Sequence, residues 1–158
     1  MFIFVHITEK EDVTTSHHLK PFYLLAPLSD LASRTVKRTG KLTTNSRLFK
    51  TIIKAIQDKK GEHIVSLDLR KIPEGVSDFF VICEATSSIQ IKAIADNIED
   101  LVKQECGENP YKREGYQSLQ WVLLDYVNVV VHIMQPESRN FYRLEEMWSD
   151  AGVKEHED

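Results

Sequence analysis

The chain has 158 residues, 42% of them hydrophobic, and a formal net charge of −4. That is enough to bury roughly two-thirds of the unfolded surface in one core, while its longest apolar runs, such as Met1 to Val5, fall far short of the roughly 20 residues needed to cross a bilayer. The charge is uneven: residues 1–50 hold eight Lys/Arg against four Asp/Glu, and residues 51–158 hold twelve against twenty, so a head of net +4 precedes a body of net −8. Such a body repels phosphate backbones and suits a basic partner, basic proteins included. Cys83 and Cys106 have no paired spacing, which argues against a disulfide framework or a zinc knuckle and is the pattern of reduced thiols in a cytoplasmic protein.

Residues 1–45 show no sustained helical or strand period and are read as a mobile basic extension, in which "LSDLASRTV" is the candidate for a short helix. The Ser/Thr-rich stretch 14–47 has the composition of an organelle transit peptide, but the preceding "EKED" is too acidic for one; an upstream start-codon misassignment gives the same pattern. Order is expected from Asn45. In "NSRLFKTIIKAIQDKKG" the residues Leu48, Phe49, Ile52, Ile53 and Ile56 recur at helical spacing, Asn45 or Ser46 can cap the start, and Gly61 can end it. Two β-rich runs follow, "HIVSLDL" at 63–69 and "DFFVICEA" at 78–85, separated by the turn-prone "RKIPEGVS".

A second helix is predicted in "TSSIQIKAIADNIEDLVKQECG": Ser87 and Gln90 have capping-box spacing, Ile91, Ile94, Ala95, Ile98, Leu101 and Val102 form a stripe, and Gly107 stops it. Next come a strand at "YKREGYQ", two strands at 120–126 and 128–134, and a last helix in "PESRNFYRLEEMW" with Pro136 near its first turn. The order predicts an α/β fold: a mixed sheet of about five strands with helices packed on it, and residues 152–158 as an acidic tail.

Candidate chemistry is sparse. His132 and Asp125 suggest a catalytic dyad, but no GxSxG-type nucleophile turn accompanies them, and a tucked-in, satisfied imidazole is the preferred reading. A metal site needs several ligands at fitted spacing, and His17, His18 and His63 do not supply it. "ATSS" at 85–88 can hold an anion at a helix N-terminus, yet it lacks the glycines and lysine of a P-loop, so capping is preferred. Asp68 is a lone carboxylate, with Arg70 where a two-metal site wants a second acid.

Together, "LDLRKIPEGVSDFFVICEATSSIQIKAIADNI" and "REGYQSLQWVLLDYVNVVVHIMQPESRNFYRLEEMWSDA" resemble the ribosomal silencing factor family, also called RsfS or Iojap, from about Ser46 to Ala151. The resemblance rests on an ordered set: Asp-aromatic-aromatic at 78–80, the small-Thr-Ser turn at 85–87, Ala95-Asp96, Glu114-Gly115, Trp121 with Leu-Leu-Asp, Val-Val-His at 130–132, and Arg139, Tyr142, Leu144, Glu145 and Trp148. It implies a nucleotidyltransferase-like fold used without catalysis or cofactor: a protein that binds the large ribosomal subunit through ribosomal protein fourteen, blocks joining of the small subunit and damps translation when nutrients are short. A homodimer of the free protein fits the family.

The positions carried over as partner contacts are Trp121, Leu123, Asp125, Asp78 and Glu114. On a strand the first three share one face, an aromatic anchor beside an acid, although a core tryptophan fits the same pattern. Val127 stands where many relatives have Gly, so the turn into the last strand is not expected to be of the primed hairpin type. The competing readings are an active nucleotidyltransferase, against which stand the missing Gly-Ser and Asp-x-Asp motifs, and a generic RNA-binding module, favoured only by the basic head.

Overall fold

The computed structural model describes residues 40–73 and 75–157; the expectations for the head therefore lie, up to residue 39, outside the described residues. Helix α1, Arg47–Asp58, begins where the Ser46 hydroxyl accepts from the Phe49 amide, so Ser46 is the cap. Its apolar stripe Leu48, Phe49, Ile52, Ile53 and Ile56 is buried. Helix α2, Ser88–Cys106, is capped by Ser87 and stopped by Gly107 at φ 71, a left-handed position that suits glycine. Gln90 does not complete a capping box. Its side-chain amide donates instead to the carbonyls of Lys59 and Lys60, tying the start of α2 to the end of α1.

Six strands form one mixed sheet: β1 Glu62–Asp68, β2 Phe79–Glu84, β3 Lys112–Glu114, β4 Trp121–Asp125, β5 Val129–Met134 and β6 Gly152–Glu155, in the order β3-β4-β5-β2-β1-β6. Among the described residues only β2 and β5 run parallel, with Phe79 opposite Val129 and Cys83 opposite Ile133; the β2–α2 unit thus continues to a parallel strand, with the β3–β4 pair inserted in the crossover. The sixth strand corrects the expected acidic tail. "GVKE" is exposed throughout, so it carries no alternation of apolar residues from which a strand can be read. At the other end of the domain, Leu42 lies before the expected boundary at residue 46. Its amide donates to Asp78 Oδ2 at 2.8 Å, and its side chain packs on the core.

Because strand side chains alternate, β2 serves two cores. Phe79, Val81 and Cys83 face α1 and α2 in a cluster with Val122, Leu124, Val129, Val131 and Ile133. Phe80 and Ile82 face the opposite layer, where the last helical segment lies. That segment is two helices rather than one: α3, Pro136–Tyr142, and α4, Leu144–Met147, break at Arg143 (φ 46). The break turns Leu144 and Trp148 into the second layer, both buried. Among the described residues no helix is long and apolar enough to cross a membrane.

The β4–β5 turn is tight. The Asn128 amide donates to the Tyr126 carbonyl at 2.8 Å around Val127, whose φ is 71, which describes a φ-positive γ-turn, a rare and strained form. It is held from outside: Asp125 Oδ1 accepts from the Val127 amide and the Ser77 hydroxyl donates to the Val127 carbonyl. A β-branched residue in this region costs about 1–2 kcal/mol. Val127→Gly is therefore expected to raise stability by about 1 kcal/mol in urea denaturation; a loss would mean that the Val127 side chain contributes packing that outweighs its backbone strain.

Candidate functional site

The face of β4 that carries Trp121, Leu123 and Asp125 meets Met134, His132 and Val130 of β5 in register. Trp121 is 3% exposed. Its indole N–H donates to His132 Nδ1 at 3.2 Å, and the Tyr142 ring, delivered by α3, covers it at a centroid distance of 4.8 Å. Of the two readings that alternation left open, Trp121 takes the core one, and its cover comes from a helix that strand periodicity alone does not reveal. Accepting at Nδ1 leaves the proton of the neutral His132 ring on Nε2, which finds no hydrogen-bond partner among the described residues; the ring as a whole meets Phe80 edge-on at a centroid distance of 4.7 Å. The expected satisfied imidazole is thus satisfied on one side only. Burial pushes the His132 pKa down to about 3, so the ring is neutral at physiological pH.

Asp125 and Asp78 are buried as well, at 1% and 4% exposure, and they bracket the strained turn rather than face solvent. Asp125 holds Val127 as described, while Asp78 Oδ2 accepts from the Asn128 side-chain amide at 2.6 Å and from Leu42. Both act as turn and strap organisers. Glu114 lies directly across from Leu123 on β3, ion-paired to Lys112 at 2.8 Å. Glu114 and Leu123 are partly exposed. The five carried-over positions therefore divide into a partly open pair, Leu123 and Glu114, and three buried supports.

Above the buried Trp121 stands a feature that the sequence reading missed. Phe141 is 67% exposed, and its ring meets Tyr142 at 5.0 Å. Tyr142 rests on Trp121 and carries Phe141, so the two rings form an aromatic ledge, and Leu123 is the next residue on the same face of β4 as Trp121. The available signal was "NFY" on a helix whose other side, Leu144 and Trp148, must face the sheet; the break at Arg143 hides it from a single helical period.

Elsewhere, Asp68 is gripped by Arg70, whose Nε donates to Oδ1 at 2.8 Å and Nη2 to Oδ2 at 2.5 Å. Those hydrogen bonds hold its carboxyl below the usual range. Arg139 is nearly buried and bridges Glu145 (2.6 Å), Glu84 (3.7 Å) and the His63 carbonyl, pinning α3 to β1 and β2.

Comparison with known proteins agrees with this architecture. The chain is 39% identical over 114 residues to Ribosomal silencing factor RsfS of Halalkalibacterium halodurans, covering 72% of this chain and 96% of that protein. Protein Iojap, chloroplastic, of Zea mays is 34% identical over 64% of this chain and 43% of its own length. Among solved structures, a Chromobacterium violaceum protein superposes with a TM-score of 0.61 at 33% identity, over 65% of this chain and 83% of that one. A Bacillus halodurans protein gives 0.58 at 38% identity, over 66% and 95%. The family described as "Ribosomal silencing factor during starvation" matches residues 42–158, from the Leu42 strap through the sixth strand, and the chain belongs to that ribosomal silencing factor family.

Proposed function

We propose that this protein is a cytoplasmic, non-catalytic repressor that binds the large ribosomal subunit through ribosomal protein fourteen and blocks joining of the small subunit, damping translation under nutrient limitation. Membership of the silencing family supports the regulatory part, and a mouse relative, 35% identical over 75 residues, is named Mitochondrial assembly of ribosomal large subunit protein 1. The observation that carries the choice of a protein partner over rRNA is charge: residues 51–158 hold twelve Lys/Arg against twenty Asp/Glu, which favours a basic protein surface and disfavours phosphate.

In this reading the contact surface is the Phe141–Tyr142 ledge with Leu123 and Glu114, while Trp121, Asp125 and Asp78 hold it in shape. An exposed aromatic, Phe141, stacked on the partly buried Tyr142 suits an interface hot spot. The test is co-sedimentation with purified large subunits and the yield of joined ribosomes when small subunits are added. Excess protein is expected to lower that yield, and Leu123→Lys combined with Phe141→Ala is expected to weaken subunit binding about tenfold or more at an unchanged urea midpoint. An unchanged yield of joined ribosomes overturns the reading, and full binding by the double variant removes this face from it.

A further inference from the structure

At the far edge of the sheet from β3, strand β6 pairs, among the described residues, with β1 alone, on its inner side. The register sets Val65 opposite Glu155 and Ser66 opposite Lys154, and the His156 amide donates to the Ile64 carbonyl at 2.8 Å. In an antiparallel ladder bonded and non-bonded pairs alternate. Gly152, Lys154 and His156 therefore turn their backbone groups toward β1, while the N–H and C=O of Val153 and Glu155 point outward. Val153 is 57% exposed. Its side chain and that of Glu155 line a cleft of about 820 Å³ between the sheet edge and α3–α4. The cleft is acidic. Glu84 and Glu145 are engaged by Arg139, and Glu146 by Arg143, which leaves the carboxylates of Glu155 and Glu157 as uncompensated charge on its rim.

We propose that this edge takes an extended basic segment of another polypeptide as a seventh, antiparallel strand, with main-chain bonds to Val153 and Glu155 and a cation over the acidic rim. Strand addition supplies affinity through the backbone, and alternate side chains supply selectivity. Running antiparallel, the guest places one residue opposite Glu155 and the residue two further on opposite Val153, both on the cleft side. The fitting pattern is Lys or Arg, then a polar residue facing Lys154, then an aliphatic one.

RNA does not fit, because the rim repels phosphate. A second copy of this chain fits poorly. Pairing Val153 with Glu155 of a neighbour sets Lys154 against Lys154, and pairing Glu155 with itself sets carboxylate against carboxylate; like charges directly opposite are unfavourable. Only the register centred on Val153 escapes that clash, and it sets Glu155 of each copy opposite Ala151 rather than a cation, without the charge match that a basic guest supplies. The proposal concerns the β6 edge, at the opposite end of the sheet from β3, and stands whether or not the ribosomal reading does.

Its test uses the full chain and a fluorescent peptide with the core Thr-Lys-Thr-Val-Thr, followed by anisotropy. Val153→Pro removes the outward N–H without touching the ladder to β1, and Glu155→Lys reverses the rim charge. Each variant is expected to weaken binding tenfold or more while the urea midpoint and subunit joining stay as in the wild type, and a peptide with Glu in place of Lys is expected not to bind. Equal affinity for Val153→Pro, no binding of the lysine peptide at millimolar concentration, or amide shifts centred away from residues 152–155 overturns the proposal. So does a self-associated wild type that Val153→Pro converts to monomer in sedimentation velocity, since the edge then belongs to a second copy.

Discussion

Replacing Trp121 by alanine is expected to cost about 3–5 kcal/mol of stability, the range for removing a large aromatic side chain from a packed core. The ring lies between His132 and Tyr142 with 3% of its surface exposed. Its loss opens a cavity under α3 and leaves His132 Nδ1 without its donor. Urea denaturation reads this as a fall in midpoint with little change in slope. Weakened subunit binding by this variant then follows from a collapsed Phe141–Tyr142 ledge, so it must be compared with Phe141→Ala, which removes surface without emptying the core. A loss below about 1 kcal/mol would show that Trp121 is not a core residue and would restore it as a candidate contact.

Acid is expected to destabilise the fold well before carboxylates titrate, through His132. Its folded-state pKa is about 3, against 6.5 for the free side chain, because burial disfavours the cation. As pH falls below about 6.5 the unfolded chain binds the proton first, so stability present at neutral pH is lost progressively between about 6.5 and about 3. By linkage the loss is about 2 kcal/mol at pH 5 and about 4–5 kcal/mol at the acid limit. His156 is shifted downward too, by burial and by Lys154, so the informative comparison is between wild type and His132→Gln. The variant is expected to have a stability profile flatter by about 2 kcal/mol between pH 7.5 and 5. Parallel profiles would show that some other group carries the acid sensitivity.

The elements that pack one stripe against one face are legible in the sequence. Ser46, Ser87 and Gly107 mark helix ends by local hydrogen-bonding chemistry, and the expected stripes of α1 and α2 are buried except for Leu101, which is only partly so. The four longer strands come within about a residue of the expected bounds at each end, β2, β4 and β5 because aliphatic and aromatic residues crowd both faces and β1 because Ile64, Val65 and Leu67 mark its middle. The short edge strands were less legible. β3 keeps only Lys112–Glu114 of the expected run, and β6 has no buried side at all; pairing by backbone alone leaves no mark in side-chain pattern. The site was half legible for a related reason. Alternation put Trp121, Leu123 and Asp125 on one face correctly, but the cover over Trp121 comes from Tyr142 on α3, a contact between distant elements that no period within a strand encodes.

The parallel pairing of β2 with β5 also has a kinetic consequence. It joins partners such as Phe79 and Val129, ~50 positions apart, and β6 reaches back farther still, from Gly152 to Asp68. Such non-local pairs incur loop-closure entropy before any packing offsets it, so refolding belongs on the millisecond-to-second side of two-state behaviour. During synthesis β1 and β2 can pair as soon as they emerge, yet the apolar edge of β2 waits until Met134 has been made. For that interval the nascent chain displays an unsatisfied, aggregation-prone strand, and its protection in the cell depends on how quickly translation delivers residues 129–134.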